Sequence, residues 1–253
     1  MLLSALFRRL SFGELSNLAI SNSGSGTIVE AKYPQLIQYV NTALIDIFTR
    51  FVLSEKEVII EQVEGLTMYH LLAKHSATVG TEVNKYIIDS EEDTFRDDIA
   101  IRIREVWGVA NPTNPAEDDE VEEDPIKFPL NDAEHDYSLF TPSPLSLQVP
   151  EPVAGEPLSI IYQAYHPPLV DEEDEEVTEL LDQVIDIPHY LDNALTKRVA
   201  SEVFSHMNGQ ENILKGQEYL AAYEKACFEI EERDLANQSA HTSHDKLEQR
   251  GFV

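Results

Sequence analysis

The chain has 253 residues, 42% of them hydrophobic, with one cysteine and 18 basic against 47 acidic residues, a formal net charge of −29. Nucleic-acid binding is driven by Lys and Arg neutralising phosphates, so this balance argues against DNA or RNA as a ligand and against an anionic membrane surface. The lone Cys227 excludes a disulfide within the chain and fits a reducing compartment.

Residues 1–21 predict one or two short helices, with Leu10, Leu15, Leu18 and Ala19 as a modest apolar stripe. Ser11 with Glu14 three residues on has capping-box spacing, which makes Ser11 a candidate N-cap. The opening MLLSALFRRL has too short an apolar run for a signal peptide, and Arg8 and Arg9 follow it. No segment reaches the roughly 20 apolar residues of a transmembrane helix, so the expectation is a soluble protein made in the cytoplasm. SNSGSGT (21–27) reads as a flexible joint; no Lys follows Gly26 and no strand precedes it, so the phosphate-loop pattern fails.

Tyr33 to Phe51, YPQLIQYVNTALIDIFTRF, is the longest segment of helical period, with Pro34 at its start where a missing N–H costs nothing. Leu36, Val40, Ala43, Leu44, Ile47 and Phe51 share one face. Ile37, Ile45, Phe48 and Val52 extend the apolar surface around a second. A helix apolar over so much of its circumference is a core helix or an assembly helix.

The period then changes to two. Glu57–Val63 and Leu66–Leu72 predict two strands joined at Glu64–Gly65, and Asn84–Asp89 a further one. Ile99–Trp107 alternates Ile101, Ile103 and Val106 or Trp107 against Arg102, Arg104 and Glu105, a half-buried strand of an antiparallel sheet. Residues 109–125 read as an acidic, Pro-containing loop or hairpin tip; calcium is the sharp alternative, but an EF-hand loop needs a Gly at its sixth position and none occurs. LQVPEP (147–152) and EPLSIIYQAYHP (156–167) resume strand character, with Ile160, Tyr162 and Ala164 opposing Ile161, Gln163 and Tyr165. Six or seven short strands fit one twisted sheet or a small sandwich.

DEEDEE (171–176) is a second acidic run, read as a solvated loop. A helix then opens at Asp186 with Pro188 in its first turn, lined by Leu191, Leu195, Val199, Val203 and Met207 and ended by Asn208–Gly209. In the next, Ile213, Leu220, Tyr223, Cys227 and Ile230 make the buried stripe, and Gly216 allows close approach to the first. Beyond Leu235 the pattern fades into an extended arm.

Chemistry-bearing motifs are absent: there is no G-x-S-x-G, H-E-x-x-H, C-x-x-C or G-x-G-x-x-G. His241, His244 and Asp245 have a spacing that metals sometimes use, but in the tail they read as a surface group. Cys227 reads as a small buried hydrophobe, and Tyr162 and Tyr165, without interleaved basic residues, as core or interface aromatics rather than a base-stacking platform. No catalytic residue, metal or cofactor is expected, and no enzyme.

ELSNLAI (14–20) leading into PQLIQYVNTALIDIFTRF, PLNDAEHDYSLFTPSPLSLQVPEP (129–152) continuing into GEPLSIIYQAYHP, and IPHYLDNALTKRVASEVFSHMNGQENILKGQEYLAAYEKAC (187–227) together resemble the head-to-tail adaptor proteins of tailed bacteriophages, similar to the tail tubular A proteins of short-tailed phages. The resemblance covers roughly residues 10–235. It implies an α+β fold: a helical bundle formed by N- and C-terminal helices (1–53 and 171–235), an inserted antiparallel β-domain with acidic loops (54–170) and an extended C-terminal arm (236–253). It also implies a virion protein made in the host cytoplasm, a homo-oligomeric ring of twelve copies that joins the portal protein to the tail nozzle or tail tube. DNA passes through such a ring without specific binding, and no membrane is involved. The long acidic insertions, 117–124 and 171–176, depart from the family pattern. Ile37, Ile45 and Phe48 become candidates for the contact between copies, and Lys246, Arg250 and Phe252 for an arm that orders on the portal. The alternative is a cytoplasmic binding module whose acidic surface mimics nucleic acid and inhibits a DNA-binding protein.

Overall fold

The computed structural model describes residues 1–18, 27–108, 125–170, 180–233 and 235. It is a mixed α+β structure with antiparallel sheets, and the chain divides into two compact units. One comprises residues 1–53 with the chain from His166 onward; the other is Ser54–Tyr165.

Among the described residues, four α-helices build the first unit: α1 (Leu3–Phe12), α2 (Tyr33–Arg50), α3 (Asp192–Ser205) and α4 (Gln210–Glu232). In α1, Leu3, Leu6, Phe7 and Leu10 recur at three- and four-residue steps and are buried. Its first turn is tied to a distant part of the chain, since the Met1 ammonium donates to the Ile185 carbonyl at 2.6 Å and the Ile185 N–H to the Met1 carbonyl at 2.7 Å. Ser11 is not an N-cap. It lies buried in the last turn of α1 and donates its hydroxyl to the Thr27 carbonyl at 3.2 Å.

Helix α2 ends one residue earlier than expected, where Phe51 turns extended while still donating to the Ile47 carbonyl. Helix α3 packs against α2 and α4 and also meets α1. It starts at Asp192 rather than Asp186: Pro188 is extended, and one 3₁₀ turn at His189–Leu191 leads into the helix. The Asp186 N–H is instead donated to His166 Nε2 at 3.0 Å, which holds that stretch outside the helix. Leu195, Val199 and Val203 line the buried face of α3, whereas Met207 lies beyond its end. Ion pairs join the helical segments: Arg198 of α3 with Asp46 of α2 at 2.6 Å, Lys197 with Glu14 at 2.6 Å, Arg9 of α1 with Asp192 of α3 at 3.3 Å, and Arg50 of α2 with Glu224 and Glu231 of α4.

The second unit holds eight strands among the described residues, in two antiparallel sheets. They are β1 (Glu55–Glu61), β2 (Met68–His70), β3 (Ile87–Ile88), β4 (Ala100–Gly108), β5 (Ile126–Lys127), β6 (Phe140–Ser143), β7 (Ser146–Gln148) and β8 (Pro157–Ala164). The larger sheet has the order β3-β1-β8-β4-β5 and the smaller β2-β7-β6. The hairpin expected between the strands flanking Glu64–Gly65 does not form. Gly65 does turn the chain, at φ +74°, but β1 pairs with β3 and β8 while β2 joins the other sheet beside β7. One apolar cluster takes Ile60, Tyr69, Leu147 and Ile160 from strands of both sheets. Burial of that cluster rewards separating the strands more than a local hairpin would.

Strand β4 also departs from simple alternation. Two register shifts, between Ala100 and Arg102 and between Ile103 and Glu105, each insert a residue against β8. The inward positions therefore fall at steps of three, on Ala100, Ile103 and Val106, and Ile101 is only half-buried.

Candidate functional site

Helix α2 was expected to offer a second apolar face to a neighbouring copy through Ile37, Ile45 and Phe48. Ile37 and Phe48 are instead covered by the chain itself, at 0% and 2% exposure, and only Ile45, at 50%, reaches the surface. At about 100° per residue, Ile37 and Phe48 fall beside Leu44 and widen the buried stripe, while Ile45 falls on the far side. The other proposed contact residues, Lys246, Arg250 and Phe252, lie outside the described residues. So do His241, His244, Asp245 and the acidic runs 117–124 and 171–176.

An apolar surface emerges instead on α4. Ile213 and Leu220, expected in the buried stripe, are 48% and 40% exposed, alongside Leu214 at 53% and Phe228 at 61%. The helix is rotated so that Gly216, Tyr223, Cys227 and Ile230 face inward, with Tyr219 stacked on Phe204 of α3 at 5.4 Å. Arg50 helps fix this rotation. Its guanidinium donates to Glu231 at 2.7 and 3.1 Å and to Glu224 at 2.6 Å, spanning two turns of α4. The hydrogen bond from Arg50 holds the Glu231 carboxyl below the usual carboxylate range. Cys227 is fully buried and burial pushes its thiol up, so little thiolate is present at neutral pH.

The β-unit contains a cleft of about 810 Å³ walled by β1, β3 and the loop that follows β3. Asp89 builds that loop. Its carboxylate accepts the Ser76 and Thr78 hydroxyls at 2.6 and 2.7 Å and the Thr78 and Phe95 N–H groups at 3.0 Å each. Burial alone would raise the Asp89 pKa, but these donors outweigh it and hold the carboxyl below its ordinary value. Tyr162 of β8 also lines the cleft, with Phe95 edge-on to its ring at 5.8 Å. Burial, helped by the negative charge of Asp93, pushes its phenol up to about 12. Sequence reading placed Tyr162 among core or interface aromatics and missed the cleft, because its walls come from segments far apart in the chain.

Among the described residues, no group of three or more His, Cys, Asp or Glu side chains converges as a metal site, and no helix is long and apolar enough to cross a membrane. Neither a family model nor a curated protein matches the chain.

Proposed function

We propose that the protein is a structural virion component, a head-to-tail adaptor whose copies form a ring, expected to be twelve-fold, between the portal and the tail nozzle or tail tube. The observation that carries this reading is the exposed apolar row of α4, where Ile213, Leu214, Leu220 and Phe228 stand open in a strongly acidic chain. Large apolar residues grouped on one helix mark a surface that another protein covers. A second, unlike face of the same unit completes a head-to-tail contact, and such contacts close into a ring when the rotation permits.

In this reading the four helices are a bundle into which the β-unit is inserted, and residues 236–253 are an arm that meets the portal through Lys246, Arg250 and Phe252. Ile45 joins α4 in the contact between copies. The acid surplus suits a channel for DNA, because attractive walls would retard the duplex. Such a ring works as a conduit and has no reaction to catalyse.

Mass photometry and negative-stain imaging of the purified protein, alone and mixed with portal rings of the same virus, test the proposal. Uniform rings, or portal particles heavier by about twelve copies, are the expected result, and Phe228→Asp should reduce them while leaving the fold intact, since Phe228 is exposed. A protein that stays small and ignores the portal overturns the adaptor reading in favour of the acidic nucleic-acid mimic.

A further inference from the structure

The first 13 residues hold two arginines and no carboxylate, in a chain whose net charge is −29. Both arginines lie on α1 and are exposed. Arg9 is held by Asp192 at 3.3 Å, whereas Arg8 has no acidic partner among the described residues. The Arg8 guanidinium lies 5.9 Å from the centre of the Phe12 ring, which is itself 57% exposed. Arg8 and Phe12 are one helical turn apart, and with Ser4 and Ala5 they line a groove of about 640 Å³. An open aromatic ring beside an unpaired cation suits a partner that is both apolar and acidic.

Helix α4 presents that chemistry, with six glutamates against two lysines around its exposed apolar residues. Arg50 takes Glu224 and Glu231, and Glu229 lies 3.9 Å from Lys225. Glu232 is exposed and has no cationic partner among the described residues. It follows the exposed Phe228 by four residues, so the two share a face. Leu235, also exposed, comes three residues later, just past the end of the helix. Read antiparallel to α1, these spacings match. With Phe228 opposite Phe12, Glu232 falls opposite Arg8, and Leu235 falls opposite the small Ala5. Arg8 and Glu232 make no such pair within one chain, so the match is available only to a second copy.

We propose that the exposed face of α1 is the other half of the contact between copies. Its groove receives the C-terminal end of α4 from the next copy, antiparallel, with Arg8 paired to the partner subunit's Glu232 and Phe12 packed against the partner subunit's Phe228. The two halves are unlike, so the contact runs head to tail and each copy keeps one half for a further neighbour. This inference rests on the association of copies through α4 but not on the portal.

The test is sedimentation velocity over a concentration series of the full chain, without portal, for the wild type, Arg8→Glu, Glu232→Arg and an equimolar mixture of the two variants. Each variant alone sets like charges together at every contact and should associate about tenfold more weakly than the wild type. In the mixture, alternating copies restore opposite charges at every contact, so association should return close to the wild-type level. Both positions are exposed, so the variants should keep the fold, which circular dichroism checks. If the wild type assembles only on portal rings, the same four samples are compared by the mass of the portal particle. Variants that associate like the wild type, or a mixture no better than its components, overturn the pairing and leave the adaptor reading in place. Association that follows the charge swap without any binding to portal rings keeps the pairing and overturns the adaptor reading. A wild type that stays monomeric with and without portal rings overturns both.

Discussion

His166 shows how a single side chain sets a condition on the fold. Its Nε2 accepts the Asp186 N–H at 3.0 Å, so the proton must sit on Nδ1, which donates to the Pro167 carbonyl. The ring packs edge-on against Phe48 at 5.7 Å. Burial pushes the His166 pKa down, and the Pro167 hydrogen bond and the Asp186 charge only partly oppose it. The folded state therefore binds this proton more weakly than the unfolded chain does. The stabilising contribution of neutral His166 is complete above the unfolded value of about 6.5 and is lost as pH falls through the lower folded value. Asp89, Asp98 and Glu231 have lowered pKa values, so their contributions disappear only in more acidic solution. The urea midpoint should fall as the pH is lowered from 7.5 to about 5, and His166→Gln should flatten that decline; an unchanged slope in the variant would refute the role given to the imidazole. Nothing in the sequence around His166 marked it, because Phe48 and Asp186 come to it from distant positions.

At the scale of elements, the crossing of α3 and α4 depends on Gly216. A Cβ there would come within 2.6 Å of Ser205 Oγ and 3.1 Å of the Ser205 nitrogen, and the Ser201 hydroxyl already donates to the Gly216 carbonyl at 3.0 Å. Alanine would gain roughly 1 kcal/mol of helix propensity but overpack the crossing by about 1–3 kcal/mol. Gly216→Ala is therefore expected to lower stability by about 1 kcal/mol in urea denaturation, with Ser205→Ala restoring part of the loss because it removes the nearest atom. Periodicity alone identified that close approach, as it did the length of α2 and the mixed α+β character. It misassigned Ile213 and Leu220 because a helix apolar on two sides has no unique inward face, and the choice was made by Arg50 reaching Glu224 and Glu231. It likewise missed the two bulges of β4, since an inserted residue is visible only against the partner strand. The candidate cleft was not legible in the sequence: Ile59 and Ile88 fell within two predicted strands, Tyr162 read as a core or interface aromatic, and nothing singled out the loop at 90–96.

At the scale of the molecule, each unit contains its own apolar core. The β-unit's cluster draws every member from between Val58 and Ala164, so residues 54–165 expressed alone should fold and show one cooperative thermal transition by circular dichroism. A fragment lacking cooperative melting would mean that the unit depends on the helices. The chain enters and leaves this unit side by side: Glu55 pairs with Gln163, and the Ala164 N–H donates to the Ser54 carbonyl at 3.0 Å. That arrangement fixes its mechanical response. Tension applied through residues 53 and 166 pulls β1 and β8 apart from one end, breaking their hydrogen bonds one pair at a time, whereas strands loaded from opposite ends would have to slide and break them together. The β-unit should therefore peel open at low force, yielding before the helices that carry the load into it.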